Sequence, residues 1–184
     1  MLQKHFEDPA LSIEREVAFR LTIGDGHHVL TLLLGDKLYL APLSKNIEAA
    51  VDIGTGTGMY PRRDGQLRVI NGQAGIWAIE FADNFPNVSV IGTDLAPIQP
   101  NWIPPNLEFQ IDDCTQEWTF QPDSLDYVHM RWLVGSIADW TALFQEAYKS
   151  LKPGGYIERY EPSSRIESDD GTLFDESALK GGAS

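Results

Sequence analysis

From Trp140 onward the apolar side chains return every three or four residues. Trp140, Leu143, Phe144, Ala147, Tyr148 and Leu151 share one helical face, and Asp139 stands where an N-cap belongs. Ile76 to Phe85 carries the same period and is stopped by Pro86. Between and around these helices lie short continuous apolar runs. Ile47–Ile53 reads as a buried strand and Val88–Thr93 as a short apolar one, and Leu107–Ile111, Leu125–Met130 and Tyr156–Tyr160 read as the third, fourth and fifth strands. Pro153-Gly154-Gly155 turns the chain into the last of them. The first forty residues read differently. Leu11–Leu40 reads as helical, with Leu30, Leu33, Leu34 and Leu38 at helical spacing, a break at Gly24-Asp25-Gly26 and a close at Ala41-Pro42.

Strands alternating with helices predict an α/β fold, a doubly wound and mostly parallel sheet of about five strands. The link Leu95–Asn106 holds four prolines and does not read as a full helix. The organisation that follows is an N-terminal helical segment over 1–43, an α/β core over 44–161, and a polar tail over 162–184 with a weak helix around Leu173–Leu179.

Composition narrows the partners. The 14 basic against 27 acidic residues leave a net charge of −13, and no basic run extends beyond Arg62-Arg63. Phosphate neutralisation needs clustered Lys and Arg, so neither nucleic acid nor an anionic membrane is an expected partner. A cationic or neutral small molecule is easier to accommodate. The longest apolar stretch, Val29–Leu34, is far too short to span a bilayer, and the first residues lack an apolar leader core. A soluble intracellular protein is the expectation. Cys114 is the single cysteine, so no internal disulfide forms. It reads as a small buried apolar residue rather than a nucleophile.

The chemistry gathers around Val51-Asp52-Ile53-Gly54-Thr55-Gly56-Thr57-Gly58. A strand enters and three alternating glycines follow. Glycine lets the backbone turn tightly and approach a ligand without a Cβ in the way. A purely structural turn is the competing reading. The dinucleotide pattern G-x-G-x-x-G fails, because Met59 stands at its third glycine, and no G-K-[ST] follows for a P-loop. Asp94 ends the second strand, where a carboxylate accepts hydrogen bonds from ribose hydroxyls; a loop carboxylate is its plainer reading. Asp112-Asp113 follows the third strand, with Cys114 beside it, within reach of an adenine amino group. Asp is also common in turns. His27-His28 are adjacent and diverge on a helix, so no metal site is expected.

At these residues the sequence resembles class I S-adenosylmethionine-dependent methyltransferases, and within them the LaeA-like methyltransferases of filamentous fungi. The resemblance runs from about His27 to about Glu161 through GDKLYLAPL, VDIGTGTG, GIWAIEFADNFP, VIGTDLAPIQP, LEFQIDDCTQEW, LDYVHMRWLVGSI and LKPGGYIE. It implies S-adenosyl-L-methionine as cofactor and a small molecule or a protein as methyl acceptor, often in secondary metabolism. By the same resemblance Asp52, Gly54, Gly56 and Gly58 line the methionine and ribose part, Asp94 takes the ribose hydroxyls, and Asp113 and Cys114 border the adenine. His129, Met130 and Arg131 face the methyl group or the acceptor, with His129 the best general-base candidate. No metal is implied.

Two departures stand out. Family members run directly from GTGTG into IWAIEFAD, whereas here Met59–Gly75 intervenes. Removing it brings the Asp52-to-Asp94 spacing close to the usual ~20 residues. The segment reads as a polar loop that either bulges out or displaces the following helix, and its abruptness points to a translated intron. Family sheets also end in two further strands forming an antiparallel hairpin, which the tail after Glu161 does not supply. The edge beside the fifth strand is then expected to be uncovered, inviting a protein partner or self-association. The leading function is methyl transfer to a small molecule. The alternative is a methyltransferase-like regulatory or interaction protein without catalysis. Trp77, Phe81, Trp140 and Phe144 read as core, and Trp102 and Trp118 as packed loop residues near the cofactor edge.

Overall fold

The computed structural model describes residues 12–17, 26–56, 59–61, 67–69, 74–96, 100 and 102–162. Within them the strands are β1 (Ser12–Val17), β2 (Ala49–Ile53), β3 (Met59–Pro61), β4 (Leu67–Val69), β5 (Ser89–Asp94), β6 (Leu107–Ile111), β7 (Leu125–Arg131) and β8 (Leu151–Pro162). The helices are α1 (Gly26–Leu33), α2 (Ile76–Asn84) and α3 (Trp140–Ser150). Six strands form one sheet in the order β1-β8-β7-β2-β5-β6, every neighbour pair parallel. The five strands expected from the apolar runs are all present, in a doubly wound arrangement.

Among the described residues, α2 packs on one face of the sheet and α3 on the other. α2 and the segment around Leu38–Ala41 cover Ala50, Val90, Leu107 and Tyr127. α3 covers Val51, Ile53, Val128, Met130 and Ile157. Burial on both faces explains why β2 and β5 read as nearly unbroken apolar runs. α2 buries Trp77, Ala78, Phe81 and Ala82 and is capped at Phe85, beside Pro86. At the start of α3, Asp139 Oδ1 accepts the Ala142 N–H at 3.0 Å, as the N-cap reading requires. Tyr148 departs from the expected stripe: it is 45% exposed, so the buried face is narrower than the periodicity predicted. β8 begins at Leu151 rather than Tyr156, and its register jumps between the Leu125 and Tyr127 pairings, so Lys152–Gly155 forms a bulge.

Three expectations are overturned. The N-terminal segment is not helical throughout: Ser12–Val17 is a strand, and helix is confined to Gly26–Leu33 in the described part. That strand pairs with β8, Ser12 opposite Ile157 through Val17 opposite Pro162, so the edge beside the fifth expected strand is covered by the chain itself. The segment Met59–Gly75 is not a simple loop either. Met59–Pro61 and Leu67–Val69 pair as an antiparallel hairpin apart from the main sheet. The predicted helix at Leu173–Leu179 and the tail lie outside the described residues.

Candidate functional site

β2 is flanked by β5 on one side and β7 on the other, so the chain reverses its direction of winding there. Ligands of doubly wound sheets bind at such a switch point, outside the carboxyl ends of the strands. The glycine turn and Asp94 meet at that edge. Gly54 and Gly56 both take positive φ, 66° and 86°. Thr55 N–H donates to the Thr93 carbonyl at 2.9 Å, and Gly56 N–H donates to Asp94 Oδ2 at 2.9 Å. The other oxygen, Oδ1, accepts the Ala96 N–H at 3.1 Å. Each carboxylate oxygen has two acceptor positions and takes one of these donors among the described residues, so a second position on each suits a ligand hydroxyl. A Cβ built on Gly56 meets no described atom within 4 Å, which leaves bare backbone facing room for a ligand.

Beneath this edge lies a buried polar layer. Asp52 is 1% exposed; its Oδ2 accepts the Thr55 hydroxyl at 2.7 Å, and its Oδ1 lies 2.7 Å from His129 Nδ1. The His129 ring is flat against Trp77, 3.7 Å between centroids and 3° between planes. Burial pulls the His129 pKa below the ordinary histidine value, and the bond to Asp52 only partly opposes it. His129 is therefore a neutral ring that donates Nδ1–H to a carboxylate. His129 is 1% exposed, and Met130 is wholly buried. The stack on Trp77, which arrives from α2 across the sheet, is the physical reason His129 is buried.

Arg131, at the end of β7, donates from Nη1 to His27 Nδ1 at 2.9 Å, and His27 Nε2 reaches Glu80 at 3.0 Å. Accepting from Arg131 leaves the His27 proton on Nε2, directed at Glu80. Burial and the nearby Arg131 cation hold the His27 pKa down against the pull of Glu80. This chain of donors fastens α1 to α2 and β7. His28 is exposed, so the two histidines diverge as expected, and no group of three metal-ligating side chains occurs among the described residues.

The end of β6 lies beside Asp94: Asp112 N–H donates to the Asp94 carbonyl at 3.0 Å. Asp113 Oδ1 accepts from both the hydroxyl and the N–H of Thr115, which holds its carboxyl below the usual range. Cys114 is half-buried, and burial, then the Asp113 charge, push its thiol pKa up. An attacking thiolate is disfavoured there. Trp118 is 7% exposed and bonded to the Cys114 carbonyl, whereas Trp102 is 71% exposed and does not pack as expected. Gly58 lies outside the described residues.

Sequence reasoning missed three carboxylates that fasten loops to the sheet. Glu158, fully buried, accepts from Leu40 N–H at 2.6 Å, Ala41 N–H at 2.9 Å and the Tyr127 hydroxyl at 2.8 Å. It thereby pins the irregular segment before β2 onto the sheet. Glu161 accepts the N–H groups of Leu133 and Val134 and so holds the loop after β7. Asp126 does the same for Glu48 and Ala49 at the entrance to β2. A glutamate inside an apolar strand, as in Tyr156-Ile157-Glu158, was the signal available.

Comparison with known proteins identifies this arrangement. A family model described as a methyltransferase domain matches residues 26–176. The methyltransferase pytC of Aspergillus terreus is 40% identical over 148 residues, which cover 80% of this chain and 40% of that protein. The secondary metabolism regulator LAE1 of Cochliobolus heterostrophus is 45% identical over 108 residues, 58% of this chain and 35% of that protein. The chain thus spans about two fifths or less of the length of these curated relatives. Among solved structures, a methyltransferase assigned to an antibiotic biosynthesis pathway of Anabaena variabilis aligns over 71% of this chain and 43% of that chain, with 17% identity and a TM-score of 0.48. No helix among the described residues is long and apolar enough to cross a membrane.

Proposed function

The chain belongs to the methyltransferase domain family, with S-adenosyl-L-methionine as its cofactor, and from that premise we propose that it methylates a small-molecule acceptor in fungal secondary metabolism. The observation that carries the reading is the Gly56 N–H donated to Asp94 at 2.9 Å. It joins bare backbone and a carboxylate with spare acceptor positions on one rim of the sheet. In this reading Asp94 takes the ribose hydroxyls. Asp52 supports the turn from below, and Gly54 and Gly56 shape the space for the methionine and ribose part. Asp113 and Cys114 border the adenine.

The bound cofactor supplies a methyl group already activated on a cationic sulfonium. The chain's own residues have only to align the acceptor and exclude water. His129 is then a positioning residue: its Nδ1–H holds Asp52, which in turn holds Thr55 and the turn. The experiment is calorimetry with S-adenosyl-L-methionine and its demethylated product. The wild-type chain binds both. Asp94→Asn loses a hydrogen bond to a charged group, worth about 1.5–3 kcal/mol, and binds roughly 10- to 100-fold more weakly. A folded sample with no measurable binding sinks the proposal. Relatives named as secondary metabolism regulators favour a second reading, a methyltransferase-like regulator. Binding without turnover of any acceptor selects it.

A further inference from the structure

The glycine pattern of the sequence runs Gly54, Gly56, Gly58 and ends at Met59. The backbone does not follow it. By Met59 the chain has already left the turn, because Met59 pairs with Val69 in the hairpin. It comes back at Ala74-Gly75. Gly75 N–H donates to the Gly56 carbonyl at 3.1 Å, so two residues far apart in sequence close one turn. Gly75 then opens α2: it is the N-cap, its carbonyl accepts the Ile79 N–H at 3.0 Å, and its φ is 61°. No side chain caps that helix. A Cβ on Gly75 would fall 2.3 Å from Phe109 Cζ, so this position admits only glycine unless the ring or the backbone moves. Ala74 is itself buried at 8% exposure.

We infer that the cofactor cradle of this chain is discontinuous in sequence: Gly54-Thr55-Gly56 is completed through space by Ala74-Gly75, and the hairpin between them contributes no cofactor contact. The inference rests on the cofactor reading above and assigns the third glycine of the cradle to Gly75. The hydrogen bond explains how the interruption is tolerated. A carbonyl bonded to the N–H two residues later closes a γ-turn. Joining Gly56 directly to Ala74 would make Gly56, Ala74 and Gly75 consecutive, with that same bond already in place. The spliced order Gly54-Thr55-Gly56-Ala74-Gly75-Ile76 restores alternating glycines that lead straight into the helix. The N-terminus of α2 is thus delivered to the turn by the closure, not by the intervening chain. The boundary of the extra segment moves accordingly. Ala74 and Gly75 belong to the body of the domain, and residues 57–73 are the excursion.

The test uses the full chain, a variant lacking 57–73, and Gly75→Ala in both, with S-adenosylhomocysteine as the calorimetric probe and thermal melting as the check on folding. The deletion variant is expected to melt cooperatively and to bind within about threefold of the full chain, or more tightly. Gly75→Ala is expected to weaken binding at least about tenfold in both chains. The same substitution is repeated in a Phe109→Ala background, where the 2.3 Å contact is gone, so that a clash with the ring does not decide the outcome. A folded deletion variant that loses binding overturns the inference, as does a deletion variant that cannot fold. Unchanged affinity of Gly75→Ala in both chains overturns it too. Binding by neither the full chain nor the deletion variant defeats the cofactor reading itself, an outcome distinct from loss in the deletion variant alone.

Discussion

His129→Phe separates two roles that a histidine at the end of a strand can have. Phenylalanine keeps a flat ring against Trp77 and removes only the Nδ1–H that Asp52 receives at 2.7 Å. Asp52 is 1% exposed, so its freed oxygen finds no water to replace the donor. A hydrogen bond to a charged group contributes about 1.5–3 kcal/mol, and orphaning a buried carboxylate oxygen puts the loss at the upper end, about 2–3 kcal/mol. In a domain of this size each kcal/mol shifts Tm by about 2–4 °C, so the variant should melt roughly 4–12 °C lower. Asp52→Asn in the same background should recover part of that loss, because it removes the uncompensated charge; the double-mutant cycle measures the coupling. The pH dependence has a fixed sign. Burial holds the folded-state pKa of His129 below 6.5, so the unfolded chain binds the proton first as pH falls. Stability is complete above about 6.5, the unfolded value, and is lost as pH falls toward the folded one. Wild-type Tm should therefore fall between pH 7.5 and pH 5.5, and His129→Phe should flatten the slope, leaving the share of His27, whose pKa is shifted in the same direction. A general base would behave otherwise, with turnover lost and Tm unchanged. His129→Phe melting like the wild type refutes the positioning role.

Two further outcomes test the frame around the site. Glu158→Ala leaves three donors, the part-buried Leu40 N–H and the buried Ala41 N–H and Tyr127 hydroxyl, without their acceptor. A loss of about 3–5 kcal/mol in urea denaturation is expected, and a loss under about 1 kcal/mol would show that the segment before β2 is held by other means. Glu158→Gln should fall between, since its amide oxygen keeps one acceptor. Removal of residues 1–17 takes β1 from the sheet and bares the edge of β8. Amide exchange between Ile157 and Glu161 should then accelerate and the sample should associate as concentration rises; unaltered protection would mean that β1 does not close this edge.

The elements that were legible are those whose cause is local. α2 and α3 announce themselves by period, and their ends by Phe85-Pro86 and Asp139. β6 occupies the predicted span Leu107–Ile111, where Leu107, Phe109 and Ile111 alternate with Glu108 and Gln110 as an edge strand allows. The misreadings have distant causes. Ser12–Val17 is a strand because β8 lies beside it, and nothing within the six residues records that neighbour. The segment Leu34–Ile47 is irregular yet ordered because a glutamate on β8 holds Leu40 and Ala41, a contact across the whole domain. His129 was placed on the right strand end, but its burial depends on Trp77 from α2. The glycines teach the same point about the site. A contiguous pattern assigns the turn to Gly54, Gly56 and Gly58, whereas the bond that closes it runs from Gly75. Asp94 was found in spite of the extra segment because parallel strands collect their carboxyl ends on one edge, whatever length of chain separates them. Position at the end of a strand is therefore a sturdier guide to this cradle than spacing, since an excursion that leaves and re-enters across one hydrogen bond changes every spacing and moves no strand.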